Sequence, residues 1–457
     1  MQFNTLVFGL FFLCVSQNAF SSIQSDTLIV AEINVTTKNT KTKPSVIMRE
    51  LTFAKGDLMS LFELVEYEIP QSINNIKNLN LFNHITIEPV VINETIVVNI
   101  EVIEKWYLWP IPYVEFADRN INQWSTFDFD PYRTNFGLYV FKYNLFGLNH
   151  TLKATIGTGY TDILGFEYAA PYIGNDKKFG FTIDVRNKSN NEIRFGVSDD
   201  KEQFFRSKNT AMFTEFSGVT ELTYRPGLYT RHGLSVNHNQ IHIADTVVTD
   251  NLNPEFLFNN LSNQQLTTFA YHISYDNRNN KLFPLIGIYA DVGASITLGD
   301  AQYASVGFDL NFYRPLPVNR MYSALSYKYQ DALNSELPYV LNKAVGVKNN
   351  VRGYEKYMFL GDQFAILRAE LRYLIIPERD ITLRYMPVKQ YKTMPIETYI
   401  SAFYDQAQII NDGFQRDIYG FGVGINTLLY YDKVFRFEYS WNHWNRSGLK
   451  IHFKKAF

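Results

Sequence analysis

From about residue 105 to the C-terminus, apolar and polar positions alternate with a period of two. In 364–374, Ala365, Leu367, Ala369, Leu371 and Tyr373 fall on one face, and Arg368, Glu370 and Arg372 on the other. In 434–441, Phe435, Phe437, Tyr439 and Trp441 oppose Arg436, Glu438 and Ser440. In 303–313, Ala304, Val306, Phe308, Leu310 and Phe312 oppose Ser305, Asp309 and Asn311. The last segment sets Leu449, Ile451, Phe453 and Phe457 against Lys450, His452 and Lys454. Strand side chains point alternately to opposite faces, so each segment reads as a strand with one greasy and one wet face. About sixteen such segments recur. They are placed near 108–117, 136–145, 150–160, 163–172, 178–196, 211–225, 228–244, 265–275, 285–298, 302–313, 320–329, 363–376, 396–406, 417–430, 433–442 and 448–457. Before residue 105 the pattern differs, giving strand 28–36, helices within 44–53 and 59–82, and strands 84–91 and 95–103. Pro44 suits a first helical turn, and Gly56-Asp57 breaks the pattern between the helices.

A soluble sandwich also alternates, with its apolar face turned inward. Three features favour the inverted arrangement in lipid: an export signal, charges repeated along the second face, and heavy aromatic use. Residues 1–22 carry an apolar run from Leu6 to Val15 and the small-x-small triplet Ala19-Phe20-Ser21, the pattern of a secretory signal peptide. The single cysteine, Cys14, lies inside that run, so the processed chain would be cysteine-free. Aromatic residues make up 16% of the 457 positions and charged ones 19%. Mean hydropathy is nevertheless slightly negative, at -0.18, so the two kinds are finely interleaved. Tyr, Trp and Phe near strand ends fit the interfacial girdles of an outer-membrane barrel. No stretch after residue 22 is long and apolar enough for a helical span. The net charge of -2 argues against nucleic acid as a partner, and the 46% apolar content against a largely disordered chain.

The expected fold is therefore a transmembrane β-barrel of about 16 antiparallel strands, preceded by one small α+β domain. The segments divide as 1–22 signal peptide, 23–105 N-terminal domain and 106–457 barrel. Closure is required because an unpaired strand edge in hydrocarbon leaves amides without partners. Connections after even-numbered strands should be short turns, as in Asn144–Asn149, Gly174–Lys177, Arg225-Pro226-Gly227 and Tyr431-Asp432-Lys433. The longest connection, about 330–362, joins the eleventh and twelfth strands, while 377–395 after the twelfth departs from the rule.

Enzyme chemistry finds little support. His232, His238 and His242 share a strand face, but Leu234 and Val236 share it too. No serine or carboxylate arrangement completes a triad, and no zinc spacing or phosphate loop stands out. No cofactor is expected.

Several motifs resemble the BamA/TamA-type outer-membrane barrels of the bacterial surface antigen family, which carry periplasmic POTRA domains. Arg49-Glu50-Leu51 with Phe53, Gly56-Asp57 and Leu81-Phe82 look like a POTRA domain, here a single one. In the long connection, Val351-Arg352-Gly353-Tyr354 matches the family's V-R-G-[FY] motif and is followed by Gly361-Asp362. The chain ends in Phe457, similar to the C-terminal signal of such barrels. The resemblance implies that the long loop folds back into the lumen. There Arg352 would pair with acidic wall residues at positions matching Glu370 and Asp405, both on the polar phase of their strands. A guanidinium can bridge two carboxylates in a fork that Lys cannot reproduce. Asp405-Gln406-Ala407 departs from the family's D-x-G, and Asn279 stands where an acidic residue is common.

The implied function is insertion, assembly or translocation of proteins at the bacterial outer membrane, with the POTRA-like domain in the periplasm. Its partners would be outer-membrane lipid, unfolded or nascent outer-membrane proteins, and periplasmic or lipoprotein accessory factors. Clients would add to exposed strand edges, and the wall near the junction of 108–117 and 448–457 would open or thin the bilayer. Lys450, His452, Lys454 and Lys455 crowd that last strand, where they either weaken the seam or line the lumen. The competing reading is a passive pore or lipid-handling barrel.

Overall fold

The computed structural model describes residues 27–36, 41–250, 252–333, 337–342, 344–386, 392–429 and 433–452. The expected signal peptide with Cys14, the turn residues Tyr431 and Asp432, and Phe453, Lys454, Lys455 and Phe457 lie outside the described residues.

The N-terminal domain pairs four strands, β1 (Thr27–Thr36), β2 (Leu58–Ser60), β3 (Phe82–Ile92) and β4 (Thr95–Glu104), in the order β2-β1-β4-β3. The β1–β4 pair is parallel and the other two are antiparallel. Asn93 and Glu94 join β3 to β4 with positive φ at both residues, the geometry a two-residue hairpin needs to follow the strand twist. Helices α1 (Pro44–Met48) and α2 (Ile69–Lys77) cover one face and bury Val46, Ile47 and Ile76 against Val30, Ile96, Val98 and Ile100.

Sequence reading missed β2 and joined 59–82 into one helix. The structure breaks this span into β2, a turn of α-helix (Leu61–Glu63), a wider π turn (Leu64–Glu68) and α2. Pro70 explains the wider turn, because it has no N–H and its ring crowds the carbonyl one turn back. The Ile69 N–H instead reaches the Leu64 carbonyl, five residues earlier.

Among the described residues, sixteen strands form the second sheet. In chain order they begin β5 (Leu108–Phe116), β6 (Thr134–Leu145), β7 (His150–Gly159), β8 (Thr161–Ile173) and β9 (Phe179–Asn190). A separate two-stranded hairpin, β10 (Glu192–Ser198) and β11 (Lys201–Arg206), intervenes. The wall resumes with β12 (Phe213–Tyr224), β13 (Thr230–Ile243), β14 (Asn263–Asp276), β15 (Gly287–Gly299), β16 (Tyr303–Pro315) and β17 (Met321–Leu333). It ends with β18 (Gln363–Thr382), β19 (Thr393–Asn411), β20 (Phe414–Leu429), β21 (Lys433–Asn442) and β22 (Ser447–His452). Sequence neighbours pair antiparallel throughout, with β9 joined to β12 across the hairpin. Large apolar side chains on successive strands point outward and are more than half exposed, among them Val114, Ile156, Leu164, Leu222, Leu234, Val292, Ile296 and Val423. Buried inside are Arg372, Arg436, Glu370, Asp405 and Glu438. Greasy outside and ionic inside is the polarity of a wall in hydrocarbon.

Two expected segments are corrected. The fifth predicted strand, 178–196, ends at Asn190, where Asn190 pairs with Thr161; the alternation continues past it because β10 is itself a strand. Within the anomalous 377–395, the described residues on either side continue the wall, as Arg379–Thr382 pair with Thr393–Ile396. Two register shifts, between Leu374 and Ile376 and between Ile376 and Arg379, hid its alternation.

The N-terminal domain docks on the turns at one end of the barrel. Glu50 is buried and receives two bonds from Arg225, Nη1 to Oε1 at 2.5 Å and Nη2 to Oε2 at 2.8 Å, plus the Tyr172 hydroxyl at 2.8 Å. Arg49 Nη2 donates to the Arg225 and Gly227 carbonyls, at 2.8 and 2.9 Å. Burial alone would lower Arg225, but Glu50 outweighs it and holds the guanidinium above its ordinary value. Burial, and then the Arg225 charge, lower Arg49. Asn279, in the turn after β14, closes that turn with its side-chain carbonyl, which accepts from the Leu285 and Ile286 N–H groups at 3.0 and 3.2 Å. Between domain and wall lies a polar chamber of about 660 Å³, bordered by Glu50, Asn78, Arg225, Arg278 and Asp291.

At the far end, an apolar cluster joins the β10–β11 hairpin to the loops after β13 and β17 through Ile193, Met212, Val247, Phe256, Tyr339 and Met358. Beside it, Glu202 takes a bond from Arg119 Nε at 2.9 Å and others from Arg194 and Gln123. Burial acts to raise Glu202, but Arg194 and then Arg119 outweigh it and hold the carboxyl below its usual range.

Candidate functional site

The long connection between β17 and β18 descends into the lumen and places Arg352 against three strands of the wall. Asp405, on β19, receives Arg352 Nε at 2.9 Å, Nη2 at 2.6 Å and the Arg352 backbone N–H at 3.0 Å. Glu370, on β18, receives Nη1 at 2.9 Å, and Glu438, on β21, receives the same nitrogen at 3.1 Å. The guanidinium lies 3.7 Å from the centre of the Phe403 ring. Thus the structure brings Arg352, Glu370 and Asp405 together and adds Glu438.

These charges belong to a wider buried network. Arg372 Nε donates to Glu370 at 2.8 Å, and its Nη1 to the Pro284 carbonyl at 2.6 Å. Arg436 Nη2 reaches Glu370 Oε2 at 3.2 Å and Glu438 Oε1 at 3.1 Å, while its Nε donates to Asn426 at 2.6 Å. Arg352, Arg372 and Arg436 thus give each of Glu370, Asp405 and Glu438 a guanidinium within bonding reach, which offsets the cost of taking these carboxylates out of bulk water. Sequence reasoning had put Arg372, Arg436 and Glu438 on the polar phase, yet assigned them no role. Parity gives the face of a residue, but only the stagger of β18 to β21 gives its neighbours.

The rest of the motif is held by shape. Val351 and Tyr354 are buried. The Tyr354 hydroxyl donates to the Tyr419 carbonyl at 3.1 Å and bonds His443, and its ring packs edge-on against Trp444, 5.1 Å between centroids. Gly353 has φ +96°, and Asn442 Nδ2 donates to its carbonyl at 2.8 Å. Gly420 faces the lumen on β20, where an added Cβ would lie 2.0 Å from the Arg352 carbonyl oxygen. Sequence reading passed over this glycine, although Gly420-x-Gly422-x-Gly424 on one strand face was a visible sign of a close approach.

Above the ionic layer the lumen is apolar. Val351, Tyr354 and Phe359 pack with Phe364, Ile366, Ala407, Ile409 and Ile418 of the wall. The inward phase of β18 is therefore Phe364, Ile366, Arg368, Glu370 and Arg372, apolar toward the loop cluster and ionic below it. Loop side chains displace the water that would otherwise favour polar residues there. Ala407, where the family commonly has glycine, belongs to this cluster.

Other singled-out residues lie elsewhere. His232 bonds the Tyr271 hydroxyl at 2.8 Å and His238 the Thr267 hydroxyl at 3.0 Å. Among the described residues no group of three or more His, Cys, Asp or Glu is placed to hold a metal. Lys450 lies on the lumen phase of β22, in register with Glu438 and between the outward Leu449 and Ile451. It lines the lumen.

A barrel of sixteen strands with its eleventh connection tied inside the wall can be compared with known families. The Omp85 superfamily domain matches residues 144–380, more than half of the chain. The chain belongs to the Omp85 superfamily. Among solved structures, this Omp85 chain is similar to BamA from Haemophilus ducreyi lacking POTRA domains 1–3, with 13% identity over 93% of this chain and 83% of that one, and a TM-score of 0.51. It is similar to CdiB from Acinetobacter baumannii, with 12% identity over 93% and 73% and a TM-score of 0.52. It is also similar to CdiB from Escherichia coli, with 11% identity over 96% and 92% and a TM-score of 0.50. No curated protein matched the sequence. The Omp85 domain and the barrel architecture make this an outer-membrane β-barrel protein.

Proposed function

We propose that this Omp85 barrel inserts, assembles or translocates proteins at the outer membrane, with its N-terminal domain acting as a single POTRA domain in the periplasm. The observation that carries the reading is Arg352, buried inside the barrel and tied to carboxylates of three strands. The tie couples β18, β19 and β21 to one point of the loop, which is what a machine that changes the shape of its wall requires. The work involves no covalent step. Edge strand β3, eleven residues long, leaves one side of the N-terminal sheet open to an extended client. Such a client would bind by main-chain bonds, largely independent of its sequence. Outer-membrane lipid and periplasmic or lipoprotein accessory factors complete the expected partners.

Depletion of the protein followed by quantitation of folded barrel proteins in the outer membrane tests the proposal. A fall in one or more barrels or secreted clients is expected. Unchanged levels and folding, together with steady open-channel currents from the purified protein, would favour the passive pore.

A further inference from the structure

Apolar surface is exposed on the N-terminal domain as well as on the wall. Leu61, Phe62, Val65 and Tyr67 are all exposed, on the helical stretch that begins directly after edge strand β2. Leu64, between them, is buried in the domain core and turns the other side of that stretch to the sheet. Leu61 and Val65 are four apart and Phe62 and Val65 three apart, so they share a side. Tyr67, five residues from Phe62, would point elsewhere in a regular α-helix. The π turn before Pro70 closes over five residues and brings it back. The Phe62 and Tyr67 rings meet edge-on, 6.1 Å between centroids. The interruption of the helix thus gathers these apolar side chains into one patch, and a contiguous apolar patch with a polar rim marks a binding surface.

The rim here is acidic. Asp57, Glu63 and Glu66 are exposed and Glu68 is half-buried beside them, and no lysine or arginine occurs from Gly56 to Ile76. Charge of one sign around an apolar centre decides what can cover it. Anionic phospholipid is repelled, and the patch also stands away from the bilayer. Ser60 pairs with Thr27 at the end of the sheet where β4 begins. The whole of Thr95–Glu104, about 30 Å of strand, lies between that end and the wall. A second copy of this chain would set Glu63 and Glu66 against their own kind. An extended client cannot add as a strand, because β2 offers only three residues, whereas β3 at the opposite edge of the sheet offers eleven. What fits is a helix packed on a helix.

We infer that this patch docks an amphipathic helix of a periplasmic partner protein, apolar on one side and flanked by lysine or arginine. The inference rests on the reading of the N-terminal domain as a periplasmic POTRA domain and deepens it. Client and partner then occupy opposite edges of one sheet and can be held together. The client is bound by main-chain bonds along β3, the partner by Phe62 and its neighbours, with Glu63 and Glu66 selecting its charge.

Two synthetic helical peptides with the same apolar face, one flanked by lysines and the other by glutamates, provide the test. Fluorescence anisotropy reads their binding to the purified full chain in maltoside micelles, with protein-free micelles as the blank. At low salt the lysine peptide should bind about tenfold more tightly than the glutamate peptide, and the difference should shrink as salt rises. Phe62→Ser with Val65→Ser should weaken the lysine peptide by about tenfold, the loss of an apolar anchor. Both positions are exposed, so the fold is not at stake. Glu63→Lys with Glu66→Lys keeps the apolar centre and should reverse the preference between the peptides. Equal binding of the two peptides to the wild type would overturn the inference, as would binding indifferent to either pair of substitutions. In cells, a photo-crosslinker at position 62 should trap a periplasmic protein through a lysine- or arginine-flanked helix, and Glu63→Lys with Glu66→Lys should abolish the adduct. Adducts with lipid, with a second copy or with barrel precursors would overturn the inference, as would no adduct at all. Peptide binding that follows this pattern while depletion leaves other barrels untouched would reject the assembly function and keep the docking surface. The converse would reject the surface alone.

Discussion

Arg352 makes five hydrogen bonds through its side chain and backbone, and they are not equivalent. Asp405 holds three of them, and Glu370 keeps Arg372 and Arg436 if Arg352 is lost. Glu438 contributes one longer contact and also retains Arg436. Arg352→Ala should therefore leave Asp405 as the exposed fault, at a cost of about 3–5 kcal/mol for breaking a buried pair. Planar-bilayer recordings should show larger or noisier currents in Arg352→Ala. Arg352→Lys should give intermediate ones, since an ammonium cannot fork across two carboxylates. Asp405→Asn should resemble the alanine variant and Glu438→Gln the wild type. Traces identical across the series would defeat the strut.

At the scale of elements, the telling contacts are those between pieces that no local rule connects. The Glu50–Arg225 pair joins the segment just after α1 to the turn after β12. Its carboxylate is almost fully buried, whereas the guanidinium keeps a quarter of its side chain exposed. A double-mutant cycle of Glu50→Gln and Arg225→Gln should give a coupling of about 1.5–3 kcal/mol, the range for charge-assisted bonds. Protease accessibility of 41–53 provides the readout, and additive effects would show that the domain is held by apolar packing alone. The far-end loops offer a pH test. Glu202 has a folded pKa below its unfolded one, so its stabilising contribution is complete above the unfolded value. That contribution is lost as pH falls through the depressed folded value. Acidification below the ordinary carboxylate range should increase hydrogen exchange in 192–206, and Glu202→Gln should remove that step. A step that persists in the variant would assign it to another carboxylate.

For the whole molecule, the N-terminal domain sits at one end of the barrel, the loop cluster at the other and the Arg352 network between them. Any change of shape must pass through the wall or through one of these closures. Much of this was legible from residue order. Alternation depends on nearest neighbours along the chain, so Leu371, Phe437 and Leu449 declared the outward face, and Glu370, Arg436 and Glu438 the inward one, without any fold in view. The V-R-G-Y motif likewise pointed Arg352 at Glu370 and Asp405. Other features depended on atoms distant in sequence. The π turn before Pro70, the pairing of Arg379–Thr382 with Thr393–Ile396 behind its register shifts, the apolar upper lumen of Phe364 and Ile366, and the addition of Glu438 to the site were not readable. The chain sets which way each side chain points, because that is fixed by the pleat of its own strand. Which side chains meet is fixed by stagger between strands and by the loop that fills the lumen, and those exist only once the barrel has formed.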